Sequence, residues 1–495
     1  MIFFLCIVFF AALFLNNRIY FFDKIALYIL IFSSFIFTVH ASENLALDEI
    51  VVTATRVDRP AKEIGSPISV IDSTLIDSKQ FNSLSEAISS SPGMHGVSIG
   101  GKGHQTSYFV RGSNSNHSMV LIDGIEMGDP SASSGAFDFG NIFLGNVEKI
   151  EILRGAQASM YGSEAIGGVV NIISELPEIN SFSTSLSMGS DNMLQEKIKY
   201  SKIGGNWKTA WSVVHSKSDL ETLTESKFAP IGSFNESDGY ENLSSSFRYQ
   251  LKNNDNVELD YVIHYFDTKA ELDPTAEDPD SNSTSTQYFS KINVAFNNFN
   301  HDISNNIGIS ISHISREFFN YPDTLQNTFQ STQDVGERVK FDTRTDIFKL
   351  QNNTLSLGFE YEHESFKNTQ FADFSGFVIQ GSTRETAITK TIYIQDTYNP
   401  TNDLTVVGDL RYDKNSRFKG TATYRISPVL LIKSLNGRIR GAYGTGHRAP
   451  ALFELFGQST TAFGDSFRGN RNLRPEESTS WELGFDKFFE HIPIL

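Results

Sequence analysis

Cysteine is almost absent from this sequence of 495 residues, and positive charge is scarce. The single cysteine, Cys6, lies in the first hydrophobic run. A mature chain without it has no disulfide, no thiol nucleophile and no thiolate metal site. The sequence has only 41 Lys and Arg residues but 58 Asp and Glu residues, which gives a net charge of −17. This balance argues against a nucleic-acid partner, because nucleic-acid-binding proteins carry basic surfaces.

Long hydrophobic runs are missing beyond residue 41. Before it there are two, Met1–Leu15 and Ile25–Val39, and the second continues into Val39-His40-Ala41. Lys24, the second run and the small residues after it predict a secretory signal peptide within residues 1–41. The first hydrophobic run, Met1–Leu15, is then not needed for the signal peptide. We prefer a translation start further along the chain to an added membrane helix, since a span needs about 20 residues.

Catalytic arrangements are missing as well. The stretch Gly96–Ser107 reads as a glycine-rich loop, and it falls one residue short of a phosphate-binding P-loop because Gly103 replaces the expected Ser or Thr. Three histidines nearby lack zinc-site spacing and are interpreted as polar loop residues: His95, His104 and His117. No motif indicates a Ser–His–Asp or paired-carboxylate site. We therefore expect no enzymatic activity.

The sequence does contain a dense set of short apolar runs, each stopped by glycine, between Phe109 and Ile173. Such runs predict a small, tightly turned α/β domain. Just before them, Ser83 as an N-cap predicts a short helix over Leu84–Ile88. Four motifs follow in order: Arg111-Gly112, Leu121-Ile122-Asp123-Gly124, Val147 to Gly155, and Tyr161 to Ile172.

These motifs resemble the plug domain of TonB-dependent outer-membrane receptors, and Phe109–His117 is most similar to the vitamin B12 receptor branch. The resemblance implies a mainly β protein, with an N-terminal α/β plug inside an antiparallel transmembrane β-barrel. We expect a coupling segment over residues 42–58, the plug over 59–177 and the barrel over 178–495. The motif glycines are interpreted as packing positions in the plug: Gly112, Gly155, Gly167 and Gly168.

A β-prone segment precedes the plug. A short extended apolar segment in a polar tail can pair with the sheet edge of another protein. In the resembled family this position is the TonB box, which the partner TonB recognises. The matching residues here are Asp48, Glu49, Ile50, Val51, Val52, Thr53 and Ala54. The alternative is an ordinary edge strand of the plug.

Alternating polar and apolar residues begin at Ser181. Phe182, Leu186 and Met188 alternate with serines, and Ile307, Ile309 and Ile311 repeat the pattern. Alternating segments of about 10 residues predict transmembrane β-strands with the apolar side chains facing outward. We expect long polar outer loops over Asp267–Thr286 and Phe318–Gly336, and a short turn over Asn253–Asp255. A soluble β-sandwich also alternates, but the signal peptide and the plug favour the barrel.

The resemblance predicts two groups of binding residues, one for the transported ligand and one for calcium. An ungapped comparison with the B12 branch places the transported ligand near Gln105, Ser107, Asn114, Ala132 and Ser133. Acidic oxygens in the outer loops lie roughly where that branch places calcium, and calcium requires six to eight oxygens. They belong to Asp219, Glu236, Asp238, Asp273, Asp278 and Asp280. Solvated acidic loops are the alternative.

The expected function is active uptake of a scarce ligand through the Gram-negative outer membrane by a monomer in contact with membrane lipid. Vitamin B12 (cobalamin) is the expected ligand, and a ferric siderophore is the alternative. The expected partner is the periplasmic C-terminal domain of TonB, which acts with ExbB and ExbD. A passive porin and a soluble secreted binding protein are alternatives from other classes, and the plug argues against the porin.

The length of the barrel gives a further expectation. The family closes its barrel with 22 strands, a number known for outer-membrane transporters. The residues from Ser181 to Leu495 suffice for roughly 16 strands, at about 40 residues per hairpin with its turn and loop. On that basis we expect an incomplete barrel, and a chain that is degraded or aggregates when it is expressed alone.

Overall fold

The computed structural model describes residues 50–51, 56, 59–221, 237–253, 256–271, 281–298, 302–322, 328–348, 350–461 and 464–488. They all belong to one compact unit, Leu47–Leu495. The predicted signal peptide over residues 1–41 lies outside the described residues. Among the described residues, no helix is long and apolar enough to cross a membrane.

The plug is a small α/β domain, as the glycine-stopped runs predicted. Its central sheet has the order β3–β8–β9–β6–β7, and two further pairs, β1–β2 and β4–β5, flank it. The strands are β1 (Ile50–Val51), β2 (Arg59–Pro60), β3 (Ile68–Asp72), β4 (Met94–Ser98), β5 (Thr106–Val110), β6 (Ser118–Ile122), β7 (Ile125–Glu126), β8 (Val147–Arg154) and β9 (Gly168–Ser174). The helices are α1 (Ser73–Lys79), α2 (Leu84–Ser89) and α3 (Ala158–Tyr161), with 3₁₀ turns at Ala61–Glu63 and Ser115–His117.

Helix α2 confirms the predicted N-cap. The Ser83 hydroxyl accepts a hydrogen bond from the Glu86 amide at 3.2 Å, while the Glu86 carboxylate accepts one from the Asn82 amide at 2.8 Å. Such caps satisfy amides that the first helical turn leaves free. The buried face of α2, with Leu84 and Ile88 fully buried, packs into the plug core.

The second part is a 14-stranded antiparallel sheet with the order β10 to β22 followed by β25. A separate hairpin is formed by β23 and β24. The strands are β10 (Ser181–Met188), β11 (Leu194–Ile203), β12 (Trp207–Glu221), β13 (Ser237–Asn253), β14 (Val257–Glu271), β15 (Ser281–Asn297), β16 (Ile303–Asn320), β17 (Thr328–Ile347), β18 (Asn353–Phe374), β19 (Phe377–Thr401), β20 (Leu404–Asn415), β21 (Thr421–Ile432), β22 (Gly437–Arg448), β23 (Gln458–Thr461), β24 (Gly464–Arg468) and β25 (Glu476–Lys487). A 3₁₀ turn, Lys433–Leu435, and helix α4 (Leu452–Phe456) flank β22.

The strands are longer than the alternating apolar pattern indicated, and this corrects the predicted outer loops. Strand β14 continues to Glu271 and β15 begins at Ser281, so most of Asp267–Thr286 is strand. Strands β16 and β17 likewise occupy most of Phe318–Gly336. The backbone ladder continues past the apolar band because Thr, Ser and Asn side chains in solvent leave its hydrogen bonds intact.

The stretch Gly96–Ser107, predicted as a glycine-rich loop, is a loop over residues 99–105, and its two ends are strand. It is part of a β-hairpin, in which Met94 pairs with Val110 and Ser98 pairs with Thr106. Glycines concealed the alternation of these two strands. At Gly96 a side chain would collide with Tyr108, since a Cβ there would lie 2.7 Å from its ring.

The two faces of the large sheet separate as predicted. The outward residues Phe182, Ile309 and Leu357 are exposed, whereas the inward residues Ser312 and Glu360 are buried. The inward face surrounds the plug, and Val262, Phe266 and Phe289 join the plug core there.

Candidate functional site

Two of the predicted ligand residues, Gln105 and Ser107, lie on the plug hairpin β4–β5, and a third, Asn114, follows that hairpin. Gln105 is exposed just before β5, and its carbonyl accepts a hydrogen bond from the Ile99 amide at 3.2 Å. Ser107 is half-buried within β5, and Asn114 is exposed at the start of the 3₁₀ turn Ser115–His117. Ile99 at the hairpin tip is 75% exposed. The hairpin thus presents polar and apolar groups together on one loop of the plug.

The other two predicted ligand residues, Ala132 and Ser133, lie on a loop whose conformation is stabilised by contacts of the Asp129 carboxylate. The Asp129 carboxylate accepts hydrogen bonds from the Ser131 amide and hydroxyl at 2.8 and 2.6 Å. The same carboxylate pairs with Arg316 of β16 at 3.0 Å. Ser133 is exposed on this loop, whereas Ala132 is buried. Ligand binding by these five residues stays a prediction.

The described part of the predicted TonB box is strand β1. It pairs with β2 through Ile50–Pro60 and Val51–Arg59. The Val51 side chain is fully buried against Ala61, Ile64 and Leu153. Asp48, Glu49, Val52, Thr53 and Ala54 lie outside the described residues. Among its described residues, the segment is attached through the two-residue strand β1 and the buried Val51 side chain.

Arg56 is a second attachment of the same segment, and the sequence reasoning missed it. Its Nη1 donates to Oε1 of Glu360 on β18 at 2.6 Å. Its guanidinium lies over the rings of Tyr161 and Tyr393, 4.7 and 5.3 Å from the ring centroids. Arg344 of β17 donates a hydrogen bond to the Arg56 carbonyl. We call this set of contacts the Arg56 anchor.

Electrostatics favour the charged form of Arg56. Burial alone would lower its pKa, but the Glu360 carboxylate and the two tyrosines outweigh burial and raise that pKa well above its usual value. Glu360 also pairs with Lys340 at 3.2 Å and with Arg411 at 3.0 Å. Glu360 therefore keeps two cationic partners if Arg56 leaves.

A different polar cluster holds the plug to β13 and β14. Asp123, from the Leu-Ile-Asp-Gly motif, accepts hydrogen bonds from His264 Nε2 at 2.8 Å and from the Ser174 amide at 2.9 Å. Arg248 Nη1 lies 3.8 Å from the same carboxylate. Burial would raise the pKa of Asp123, but the His264 hydrogen bond and the Arg248 charge lower it below its usual value. We call this cluster the Asp123 anchor.

The motif arginines and three of the four motif glycines, Gly155, Gly167 and Gly168, serve packing, as interpreted from the sequence. Gly112 corrects that interpretation, because it is exposed and a Cβ there would meet nothing within 4 Å. Arg111 pairs with Glu482 of β25 at 3.2 Å, and Arg154 donates to Ser69 and Ser91 at 2.9 and 2.6 Å. A Cβ at Gly168 would lie 2.4 Å from the Leu153 carbonyl oxygen. Only glycine allows β8 and β9 to approach this closely.

Glu164 is an unusual member of the last motif. It has a left-handed backbone with φ of 73°, which is uncommon for residues other than glycine. Its neighbours at the plug–barrel boundary include Glu126, Arg338 and Arg448. Burial, and then the negative charge of Glu126, raise the pKa of Glu164 to about 8. This carboxyl group is therefore protonated over part of the physiological pH range.

Among the described residues, two of the cavities lie between the plug and the inward face of the sheet. The larger, about 320 Å³, is lined by residues of both anchors, including Arg56, Tyr393, Asp123 and Arg248. The smaller, about 80 Å³, contains Glu126, Glu164 and Arg338 in its wall. The larger volume is at the low end of pockets that enclose a drug-sized molecule, about 300–1,000 Å³.

The predicted calcium ligands are mostly outside the described residues. Asp219 lies near the end of β12, where Asn192 donates to it at 3.4 Å. Glu236, Asp273, Asp278 and Asp280 are not described, and for Asp238 only the backbone is. Within the described ranges, no group of three or more His, Cys, Asp or Glu side chains could hold a metal ion.

Comparisons with known proteins agree with this architecture. Residues 60–169 match the family described as TonB-dependent Receptor Plug Domain. Residues 186–492 match the family described as TonB dependent receptor-like, beta-barrel. Both matches fall within the domain ranges predicted from the sequence, whose boundaries stay predictions.

Two curated relatives are named vitamin B12 transporter BtuB. The protein from Photobacterium profundum is 28% identical over 455 residues, which is 90% of this chain and 68% of the relative. The protein from Vibrio vulnificus is 25% identical over 460 residues, with the same coverage of both chains.

Solved structures with the same fold include siderophore receptors. The ferric yersiniabactin uptake receptor FyuA of Yersinia pestis has a TM-score of 0.68 at 14% identity, covering 85% of this chain and 69% of that chain. The siderophore receptor PiuA of Acinetobacter baumannii has a TM-score of 0.66 at 17% identity, covering 87% and 71%. At these identities, the likeness shows the fold alone.

Proposed function

Because this chain belongs to the TonB-dependent outer-membrane receptors, we propose that it takes up a corrinoid of the vitamin B12 class. The observation that carries this choice of ligand is that two relatives named vitamin B12 transporters match 90% of the chain. A ferric siderophore is the alternative ligand, since receptors of that kind share the fold. The proposed process is transport, and it involves no catalytic step.

The ligand binds at the plug hairpin and the neighbouring loop. Gln105, Ser107 and Asn114 offer amide and hydroxyl groups to its polar substituents, while Ile99 offers an apolar contact. Ser133 adds a hydroxyl group from the Asp129 loop. Because both loops belong to the plug, binding there is coupled to the body that must move during transport.

The energy for transport then reaches the plug through the coupling segment. The C-terminal domain of TonB, acting with ExbB and ExbD, pairs with the strand that contains Ile50 and Val51. That pairing competes with β2, which pairs with the described part of the segment through Ile50–Pro60 and Val51–Arg59. A pull on the segment then loads the Arg56 anchor, because Arg56 is the next described residue of the segment and it contacts the sheet.

Release of Arg56 changes the larger cavity. Arg56 forms part of its wall, and a corrinoid is larger than the about 320 Å³ available. Loss of the guanidinium removes a wall contact and leaves Glu360 neutralised by Lys340 and Arg411. The cavity then widens along the plug surface while the Asp123 anchor still holds the opposite side.

The ligand is tested by calorimetry on the purified chain in detergent with cyanocobalamin and with a ferric catecholate siderophore. We expect binding of cyanocobalamin only, and weaker binding after Gln105→Ala or Asn114→Ala. Lys102→Ala, on the same hairpin, is the matched control. Binding of the siderophore alone assigns the chain to the alternative.

Calcium is proposed as a structural ion in the outer loops. Asp219, Glu236, Asp238, Asp273, Asp278 and Asp280 supply carboxylate oxygens, which calcium prefers. Calcium would join acidic loops that repel one another, and so raise ligand affinity. Removal of calcium with a chelator tests this: an unchanged affinity for cyanocobalamin means that these are solvated loops.

A further inference from the structure

Small inward residues keep the sheet side of the larger cavity open. On β16, Gly308 lies between Asn293 of β15 and Asp342 of β17 in the ladder. A Cβ at Gly308 would lie 2.7 Å from the Asp342 carboxylate, so glycine allows this carboxylate to lie against the backbone of β16. The inward residues Ser310 and Ala295 occupy the neighbouring rows and are also small. The wall therefore leaves space for an occupant between the sheet and the plug.

Lys291 of β15 brings a positive charge into this space. It lines the cavity, and a Cβ at Gly124 of the plug would lie only 3.2 Å from its ammonium nitrogen. Among the described residues, Lys291 forms no ion pair and no hydrogen bond, whereas the other cations of the wall each pair with a carboxylate. They are Arg56, Arg248, Lys340 and Arg344. An anionic group of an occupant would supply the counter-charge that Lys291 lacks.

Two asparagines and an aspartate add polar groups to the same wall. The side chains of Asn293, Asn306 and Asp342 line the cavity and are half-buried. Within the described ranges, none of these three side chains forms a hydrogen bond inside the chain. Each asparagine amide can both donate and accept. From the other side the plug contributes Leu121 and Ile173, so the cavity offers apolar contacts and polar partners together.

The cavity lies far below the predicted ligand loops. At Gly103, in the loop of the plug hairpin, a Cβ would lie 2.4 Å from the Ala270 Cβ near the outer end of β14. Lys291 is paired with Val262 of the same strand, which is about 26 Å further along at about 3.3 Å per residue. That direction leads to the short connection between β13 and β14, and short connections face the periplasm. The cavity therefore lies on the exit side of the ligand loops.

We propose that this cavity is a second, transient subsite for the corrinoid on its way to the periplasm, an inference that rests on the proposed function. Cobalamin carries amide side chains around its corrin ring and one phosphodiester in its nucleotide loop. Lys291 binds the phosphodiester, and Asn293 and Asn306 bind the peripheral amides. Because the resting cavity of about 320 Å³ is smaller than a corrinoid, the subsite fills only after Arg56 has left its wall.

Uptake of two corrinoids by the full chain, in cells without a receptor of their own, tests the subsite. Cyanocobalamin has the phosphodiester, whereas dicyanocobinamide lacks the nucleotide loop and with it this anion. We expect Lys291→Met, which keeps the aliphatic stem but removes the charge, to slow cyanocobalamin uptake about tenfold. The same variant should leave dicyanocobinamide uptake unchanged. Lys291→Arg keeps the charge and should retain most of the cyanocobalamin uptake.

The matched control is Lys199→Met. Lys199 is also a half-buried inward lysine, paired with the buried Ser212, but it lines neither of the two cavities. This variant should take up both corrinoids as the wild type does. Heat-dependent gel migration checks that each variant folds. Calorimetry with cyanocobalamin should give the wild-type affinity for K291M, because the ligand loops lie about 26 Å from Lys291.

Three outcomes would overturn the inference. Equal cyanocobalamin uptake by the wild type and K291M rejects the subsite and leaves the proposed function standing. Equal slowing of both corrinoids by K291M also rejects it, because Lys291 would then support the plug instead of contacting the phosphodiester. Failure of the wild type to bind cyanocobalamin rejects the proposed function, and the subsite with it.

Discussion

The Arg56 anchor and the Asp123 anchor line the same cavity and use the same chemistry, but their backbones differ. Asp123 follows β6, a strand paired with both β7 and β9 and buried on both faces. Arg56 follows β1, a strand of two residues. Both carry buried ion pairs to the sheet. We therefore expect the Arg56 anchor to yield first to a pull on the chain, because the described strand before it has only two residues.

The largest effect is expected from breaking the Asp123 anchor. Asp123→Ala leaves Arg248 and His264 facing the buried site without the shared carboxylate. Arg248 keeps Asp260 at 2.7 Å, so the expected cost is that of the lost hydrogen bonds to a charged group, about 1.5–3 kcal/mol. We expect a loss of that size in the free energy of unfolding, measured by urea titration in detergent.

Asp260→Asn is the control for that variant, since Asp260 pairs with the same Arg248 at 2.7 Å within the sheet but is more exposed. A loss for D260N as large as that for D123A would show that Arg248 alone matters, and not its contact with the plug.

The next effect concerns β1. In an otherwise competent barrel, Val51→Pro, like Val52→Pro, removes a strand donor, so we expect uptake to be abolished while ligand affinity is kept. Val51→Thr keeps the amide and the branched shape, and it should retain most uptake. Growth on limiting ligand and calorimetry measure the two properties. Normal uptake by V51P would contradict the proposed role of β1.

A smaller effect is expected from Arg56→Ala. Since Glu360 keeps Lys340 and Arg411, stability should fall by only about 1 kcal/mol. The isolated C-terminal domain of TonB should bind the ligand-free receptor about threefold to tenfold more tightly. Arg59→Ala, which removes the pair with Glu63 at 3.5 Å, is the control. Equal TonB affinities for the wild type and R56A would remove Arg56 from the coupling mechanism.

The last effect depends on pH and concerns Glu164. Its pKa is raised from 4.5 to about 8 in the folded chain. A raised carboxyl pKa means that ionisation disfavours the folded state, so this contribution to stability is present below about pH 4.5 and is lost as pH rises towards 8. Glu164→Gln should flatten the fall in stability between pH 5 and 8, measured by urea titration. An unchanged slope would contradict the role of Glu164.

Local features of the fold could be predicted from the sequence because their causes are local. The cap at Ser83 lies next to its helix, and period-two alternation placed Glu360 and His264 on the inward face. The lengths of β14 to β17 could not be predicted, since polar residues in a solvated strand resemble those in a loop. The hairpin β4–β5 was concealed by its glycines.

The Arg56 anchor could not be predicted, because its partners lie far along the chain. Arg56 is a single arginine after a β-prone segment, and Glu360 is one of several inward carboxylates on β18. Only the pairing of β17 with β18 places Lys340, Arg344 and Glu360 together around it. The available signal was that every second residue is charged over residues 338–346 of β17 and 360–364 of β18. That pattern identified the inward face of the sheet, but it did not identify which of these residues pairs with Arg56.

The uninterrupted register of β10 to β19 has a consequence for how this chain can vary. Nine successive pairings show no shift among the described residues. A single-residue insertion within β18 would move Glu360, Glu362 and Glu364 to the lipid face, because the side-chain period is two. Related sequences should therefore gain or lose residues in the connections between these strands, or in pairs within them.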